Sequence, residues 1–200
     1  MNVATLEDVA AGLRRRARLR DHEVALAPTI AARILGHDGL RFGAPDVTPH
    51  YDPTSHRIVV PERYPDLNFA IAHELAEMAF RSEGVAFADY PTKERAANYV
   101  AAALLAPPVR VRFEAMRALG DLRVLASIFH VDQSTIALRL AEVLGEKRAV
   151  VTRTNNVLSR GVPTEIDLVA FARDRRCRLP GLTKTVLTGR DRGRVAILAS

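Results

Sequence analysis

Apolar positions recur at helical spacing over residues 5–19 and 28–35, break into short runs between 39 and 61, and return to helical spacing from 68 to 144. The first stretch predicts an amphipathic helix from Thr5 to Leu19 that ends in the basic run Arg14 to Arg20. Pro28 opens a second helix and Gly36 closes it. Four prolines, at 45, 49, 53 and 61, confine the next segment to short strands near Val47–Tyr51 and His56–Val60, joined by a turn at Asp52-Pro53-Thr54-Ser55. Tyr64-Pro65-Asp66-Leu67 then turns the chain into a helix whose apolar run, Phe69 to Ala72, draws the residues after it into a mostly buried setting. An alanine-rich helix follows Pro91 and stops at Pro107-Pro108. Leu122 to Gly145 has the core spacing of a helix-turn-helix, with Asp132-Gln133-Ser134 opening its second helix. Beyond it come a strand at Ala149–Thr152, a helix over Pro163–Arg175 begun by Thr164-Glu165, and a closing strand pair, Lys184–Thr188 and Arg194–Leu198, around residues 189–193. The fold class is α+β. Residues 1–148 form a helical core with a small sheet, including the segment 122–145, and residues 149–200 form a small basic α+β subdomain.

Within the helix after Asp66 lies Ala72-His73-Glu74-Leu75-Ala76-Glu77. Residues four apart on a helix stand one above the other, so His73 and Glu77 can bind one ion while Glu74 stands beside it. The metal-hydrolase form of this pattern is His-Glu-x-x-His, with two imidazole ligands and a Glu as general base. Here Glu77 occupies the place of the second histidine. Two acids and an imidazole in an apolar setting are costly unless a positive group neutralises them. No Lys or Arg occurs between Tyr64 and Phe80, so that cation comes from elsewhere in the fold or from solution.

Glu94, seventeen residues after Glu77, opens the alanine-rich helix after one loop's length of chain. On its own it reads equally as an acid favouring a helix N-terminus. The ordered pair of segments is more specific. Glu94, Arg95, Ala96, Asn98, Ala101, Ala102, Leu104, Leu105 and Pro107, following the His73-Glu74-Leu75-Ala76 helix, resemble the ImmA/IrrE family of metallopeptidases over roughly residues 25 to 145. The resemblance implies a zincin-like fold in which His73 and Glu94 are metal ligands and Glu74 is the catalytic base. It also implies a regulatory protein substrate, typically a helix-turn-helix transcription regulator. Glu77 departs from the family pattern. With it, the expected metal set is His73, Glu77 and Glu94.

One imidazole and two carboxylates bring a zinc site close to neutral, whereas the usual set leaves it about one unit positive. Such a site acidifies water less, and its harder donors make manganese or iron alternatives to zinc, the first expectation. Two functions follow: a metal-dependent endopeptidase acting on a regulatory protein, or a catalytically silent peptidase-like regulator that binds a protein or nucleic acid.

Composition narrows the setting. A single cysteine, Cys177 among Arg175, Arg176 and Arg178, excludes a disulfide framework and a Cys-rich zinc module. The chain has no 18-residue apolar run and no basic-then-apolar leader pattern, so the expectation is a cytoplasmic protein without membrane insertion. Its net charge of +6 is confined to residues 149–200, where ten Lys or Arg face four Asp or Glu. That tail could contact nucleic acid or an acidic protein, although Phe171 is its sole aromatic residue. No individual nucleic-acid-binding residue is assigned. The second helix of 122–145 offers Gln133, Ser134, Thr135 and Arg139 as polar contacts, while the resemblance favours two helices that close the domain without touching DNA. His50 and His56 are weak ligand candidates, being strand or turn residues near proline.

Overall fold

The computed structural model describes residues 3–145, 147–151, 157–160, 168–173, 182–187 and 194–199. They fall into two compact units, residues 1–110 with 129–131, and residues 111–128 with 132–200.

The first unit contains α1 (Val3–Arg16), α2 (Ala27–Leu35), β1 (Leu40–Gly43), β2 (His50–Asp52), β3 (Arg57–Pro61), α3 (Leu67–Ser82) and α4 (Tyr90–Leu105). Helix α1 starts earlier than its pattern predicts, and beyond it Arg18 takes a left-handed φ of 54°. Gly36 closes α2 at φ 87°, a conformation a side chain would strain. The sheet has the order β1-β3-β2, with β1 parallel and β2 antiparallel to β3. The sequence pattern does not predict strand β1. The strand expected at Val47–Tyr51 shrinks to His50–Asp52, because residues 44–47 form a turn closed by Val47 N–H to Ala44 O, and Pro49 has no donor to offer a ladder.

Helices α3 and α4 form the core of this unit. Ile71, Leu75, Leu104 and Leu105 are fully buried, each contributing about 1.5–3 kcal/mol of hydrophobic stabilisation. The alanines of α4, with Ala97 and Ala101 also fully buried, let helix backbones approach closely. Two polar side chains brace the helices. Asn68 accepts from Ala27 N–H at 2.7 Å and donates to His130 O at 2.8 Å. Arg14, from the basic run, is buried and donates to Leu104 O at 2.9 Å, meeting a carbonyl at the end of α4. Burial lowers its pKa, against the raising influence of Asp21 and Glu23.

Helix α5 (Pro108–Arg117) begins at the second proline of the pair that ends α4, a position where the missing N–H costs nothing. The second unit continues with α6 (Leu122–Phe129), α7 (Gln133–Leu144), β4 (Lys147–Val151), β5 (Val157–Arg160), α8 (Leu168–Arg173), β6 (Leu182–Val186) and β7 (Val195–Ala199). Its sheet is antiparallel throughout, in the order β5-β4-β7-β6. The closing pair predicted from the pattern is β6 and β7, whereas the pattern does not predict β5. The start of the helix predicted at Pro163, the turn at 189–193 and Cys177 lie outside the described residues.

The α6–α7 pair has the expected connection, with Asp132 capping α7 through Thr135 N–H at 2.5 Å and Gly145 closing it at φ 71°. Two of the polar contacts considered for its second helix are corrected. Arg139 is fully buried and lies 3.3 Å from Glu142, and Ser134 is buried between Asp132 and Arg194. Neither can reach a base edge from there.

Candidate metal centre

Asp66 starts α3 by accepting from Phe69 N–H, and Asp89 starts α4 by accepting from Thr92 N–H at 2.6 Å. These caps fix where each helix begins, and so which residues face across the pair. Among the polar residues that meet are His73 and Glu77 on α3, and Glu94 and Asn98 on α4, with Tyr90 four residues before Glu94.

His73 Nε2 lies 3.8 Å from Glu77 Oε1 and 3.6 Å from Glu94 Oε2. One donor atom from each of the three falls within 4.8 Å of the others, and all three residues are half-buried. Donor atoms around a tetrahedral zinc with nitrogen and oxygen ligands are about 3.3 Å apart, so the three donors stand somewhat wider than such a set and close enough to be a candidate group for one ion. The other ring nitrogen of His73 supports this fit. Nδ1 is 3.0 Å from Asn98 Oδ1, an acceptor, which places the proton on Nδ1 and turns the Nε2 lone pair towards the carboxylates. The hydroxyl of Tyr90 donates to Glu94. That bond, reinforced by the negative charge of Glu94, raises the Tyr90 pKa.

Glu74 is buried beside the group. Burial raises its pKa above the ordinary carboxylate value; His73 opposes the rise, Glu77 adds to it, and the Tyr51 main-chain N–H, which donates to Glu74 from β2, opposes it. A carboxylate of raised pKa, held by a strand beside an imidazole and two acids, takes up a proton more readily than an ordinary carboxylate, as a general base must. Lys93 Nζ is 2.7 Å from Glu77 Oε1, so the cation missing from the α3 sequence is supplied by α4. The residues line a cleft of about 430 Å³ that also includes His50, Tyr64 and Phe69.

The structure brings together all four residues singled out from sequence: His73, Glu74, Glu77 and Glu94. His50 and His56 stay outside the donor group and make local bonds, His50 to Thr48 O at 2.9 Å and His56 to Tyr51 Oη at 2.6 Å. Sequence reasoning missed the parts of Tyr90, Lys93 and Asn98. For Tyr90 and Asn98 a signal existed, since they stand four residues before and after Glu94 and so share its face of the helix.

The model of the IrrE N-terminal-like domain family of peptidases matches residues 39–141, and the chain belongs to that family. Among curated proteins no sequence matches. A solved structure titled "Mycobacterium tuberculosis transcriptional regulator" is similar in fold, with a TM-score of 0.66 and 14% identity, covering 99% of this chain and 76% of that one. The zincin-like α+β expectation therefore holds. Among the described residues no helix is long and apolar enough to cross a membrane.

Proposed function

We propose that this chain is a cytoplasmic metal-dependent endopeptidase of the IrrE type, acting on a regulatory protein such as a helix-turn-helix transcription regulator. The observation that carries the reading is His73, tautomerically fixed by Asn98 and facing Glu77 and Glu94, with a buried base candidate, Glu74, beside it. The fit favours a divalent ion held by His73, Glu77 and Glu94, zinc first and manganese or iron as alternatives. Such an ion would supply the positive charge that polarises a peptide carbonyl and lowers the pKa of water. Glu74 takes the proton of a water whose oxygen bonds to the carbonyl carbon, and returns it to the amine nitrogen as the C–N bond breaks. Tyr51 N–H keeps the Glu74 carboxylate turned to the cleft during this exchange.

The test combines metal content with cleavage. Protein purified without chelator is expected to hold one divalent ion per chain, and His73→Ala to hold none. Glu74→Gln should keep the ion while cleavage of a cognate repressor falls by roughly two to four orders of magnitude. Equal cleavage by the Gln variant would remove Glu74 from the role.

A second reading, a silent peptidase-like regulator, draws support from Glu77 standing where the usual motif has histidine. The similar fold titled a transcriptional regulator points the same way, towards a protein or nucleic-acid partner. Of the cations in the tail, Arg194 is already engaged by Asp132 and Ser134. Zinc binding without cleavage, in both the natural chain and Glu77→His, would favour this reading over the enzyme.

A further inference from the structure

Lys93 makes a contact that the metal-site reading alone does not require. Its ammonium sits 2.7 Å from Glu77 Oε1, and that same oxygen faces His73 Nε2 at 3.8 Å. A cation bound through Glu77 therefore meets Lys93 on the ligand atom itself. Lys93 adjoins Glu94 on α4, so the helix that supplies one ligand candidate also places a positive charge on another. With its side chain about one-third exposed, Lys93 has solvent within reach while its ammonium is held on Glu77.

The charges explain why such a residue belongs here. Replacing the usual second histidine by Glu77 adds one negative charge to the donor set, and Lys93 adds one positive charge at that carboxylate. A positive group beside a metal ligand weakens the hold on a divalent cation by direct repulsion and by occupying a lone pair of the ligand. Resting on the metal-site reading, we propose that Lys93 is a tethered counter-cation to Glu77 that competes with the metal and sets a reduced affinity for it at the His73, Glu77 and Glu94 group. Lys93 is a positioning and affinity-setting residue, not a ligand or a catalytic group.

The experiment is titration of full-length, chelator-stripped protein with zinc sulfate and, separately, manganese chloride, using a competing chelator dye to read affinity. Lys93→Met keeps most of the stem and removes the charge; it should bind both ions at least about tenfold more tightly. Lys93→Arg keeps the charge and should stay within a few-fold of the natural chain. In a Glu77→His background, where Lys93 has no carboxylate at position 77 to hold it, the gain from Lys93→Met should shrink to about threefold or less. Zinc binding seen only in Lys93→Met would support the proposal in its strongest form. Unchanged or weaker binding by Lys93→Met, with His73→Ala abolishing binding, overturns the role of Lys93 and leaves the metal site standing. Binding that survives in His73→Ala, or is absent from the natural chain and Lys93→Met alike, overturns both.

Discussion

The two units of this protein bury charge in opposite ways. In the second, each buried polar group described has a complementary neighbour: Arg139 lies beside Glu142, Glu114 beside Arg117, and Ser134 between Asp132 and Arg194. In the first, α3 and α4 gather three carboxylates, Glu74, Glu77 and Glu94, around one imidazole, with Lys93 as the cation on Glu77. Opposite charges brought together in a core are a structural solution, because each supplies the solvation the other has lost. Like charges brought together raise the energy of the folded chain and persist where an ion or a proton repays them. The difference marks the α3–α4 cluster as the candidate site.

Removing one buried charge from each unit should therefore have opposite consequences for stability. Arg139→Met leaves Glu142, whose side chain is 9% exposed, without its guanidinium, and should cost about 3 kcal/mol in urea denaturation. A loss under about 1 kcal/mol would mean that the pair is not what holds Glu142, and the contrast between the units would fail. In the first unit the corresponding structural support is the neutral Asn98. Asn98→Leu removes the acceptor for His73 Nδ1–H, freeing the tautomer and the ring orientation. Metal affinity should fall about 10- to 100-fold while the helix stays intact. A Leu variant with undiminished affinity would show that packing alone orients the imidazole.

Much of this contrast was legible along the chain because helical spacing is a strict ruler. The i, i+4 pair His73 and Glu77, and the return of Glu94 after one loop, predicted which side chains meet, and they do. Spacing could not tell where the compensating cation comes from. Lys93 reads as an ordinary first-turn lysine until α4 is laid against α3. The same blindness explains Arg139 and Ser134, which look like exposed polar residues on a recognition helix. Helix α7 is buried on most of its circumference, and a single helix's pattern does not announce that a second sheet or helix covers its polar face. Strand β1 was hidden for a different reason. Leu40–Gly43 has no alternation to betray it and becomes a strand through its parallel partner β3, a pairing between residues about eighteen positions apart.

The smallest expected effect gives the sharpest reading of the like-charge cluster, because it uses the protein stripped of metal. Glu74 has a raised pKa in the folded chain, with burial as the main cause, opposed by His73 and augmented by Glu77. The folded state thus holds the Glu74 proton more tightly than the unfolded state, whose carboxyl titrates at about 4.3. Stability must then fall as pH rises from that value through the raised folded pKa, and become independent of this group above it. This is opposite in sign to a carboxylate such as Asp89. Its lowered pKa, set by hydrogen bonds from Thr92, contributes stability above the unfolded carboxyl pKa that is lost as pH falls through the folded one. Glu74→Gln carries no titrating proton and keeps the shape, so the chelator-treated variant should be more stable than the natural chain at pH 7 and equal to it at pH 4. Comparing denaturant midpoints at the two pH values checks this. If the gap between the two proteins is the same at both, Glu74 titrates alike in the folded and unfolded chains, and the cluster's charges are already offset within the fold rather than awaiting an ion.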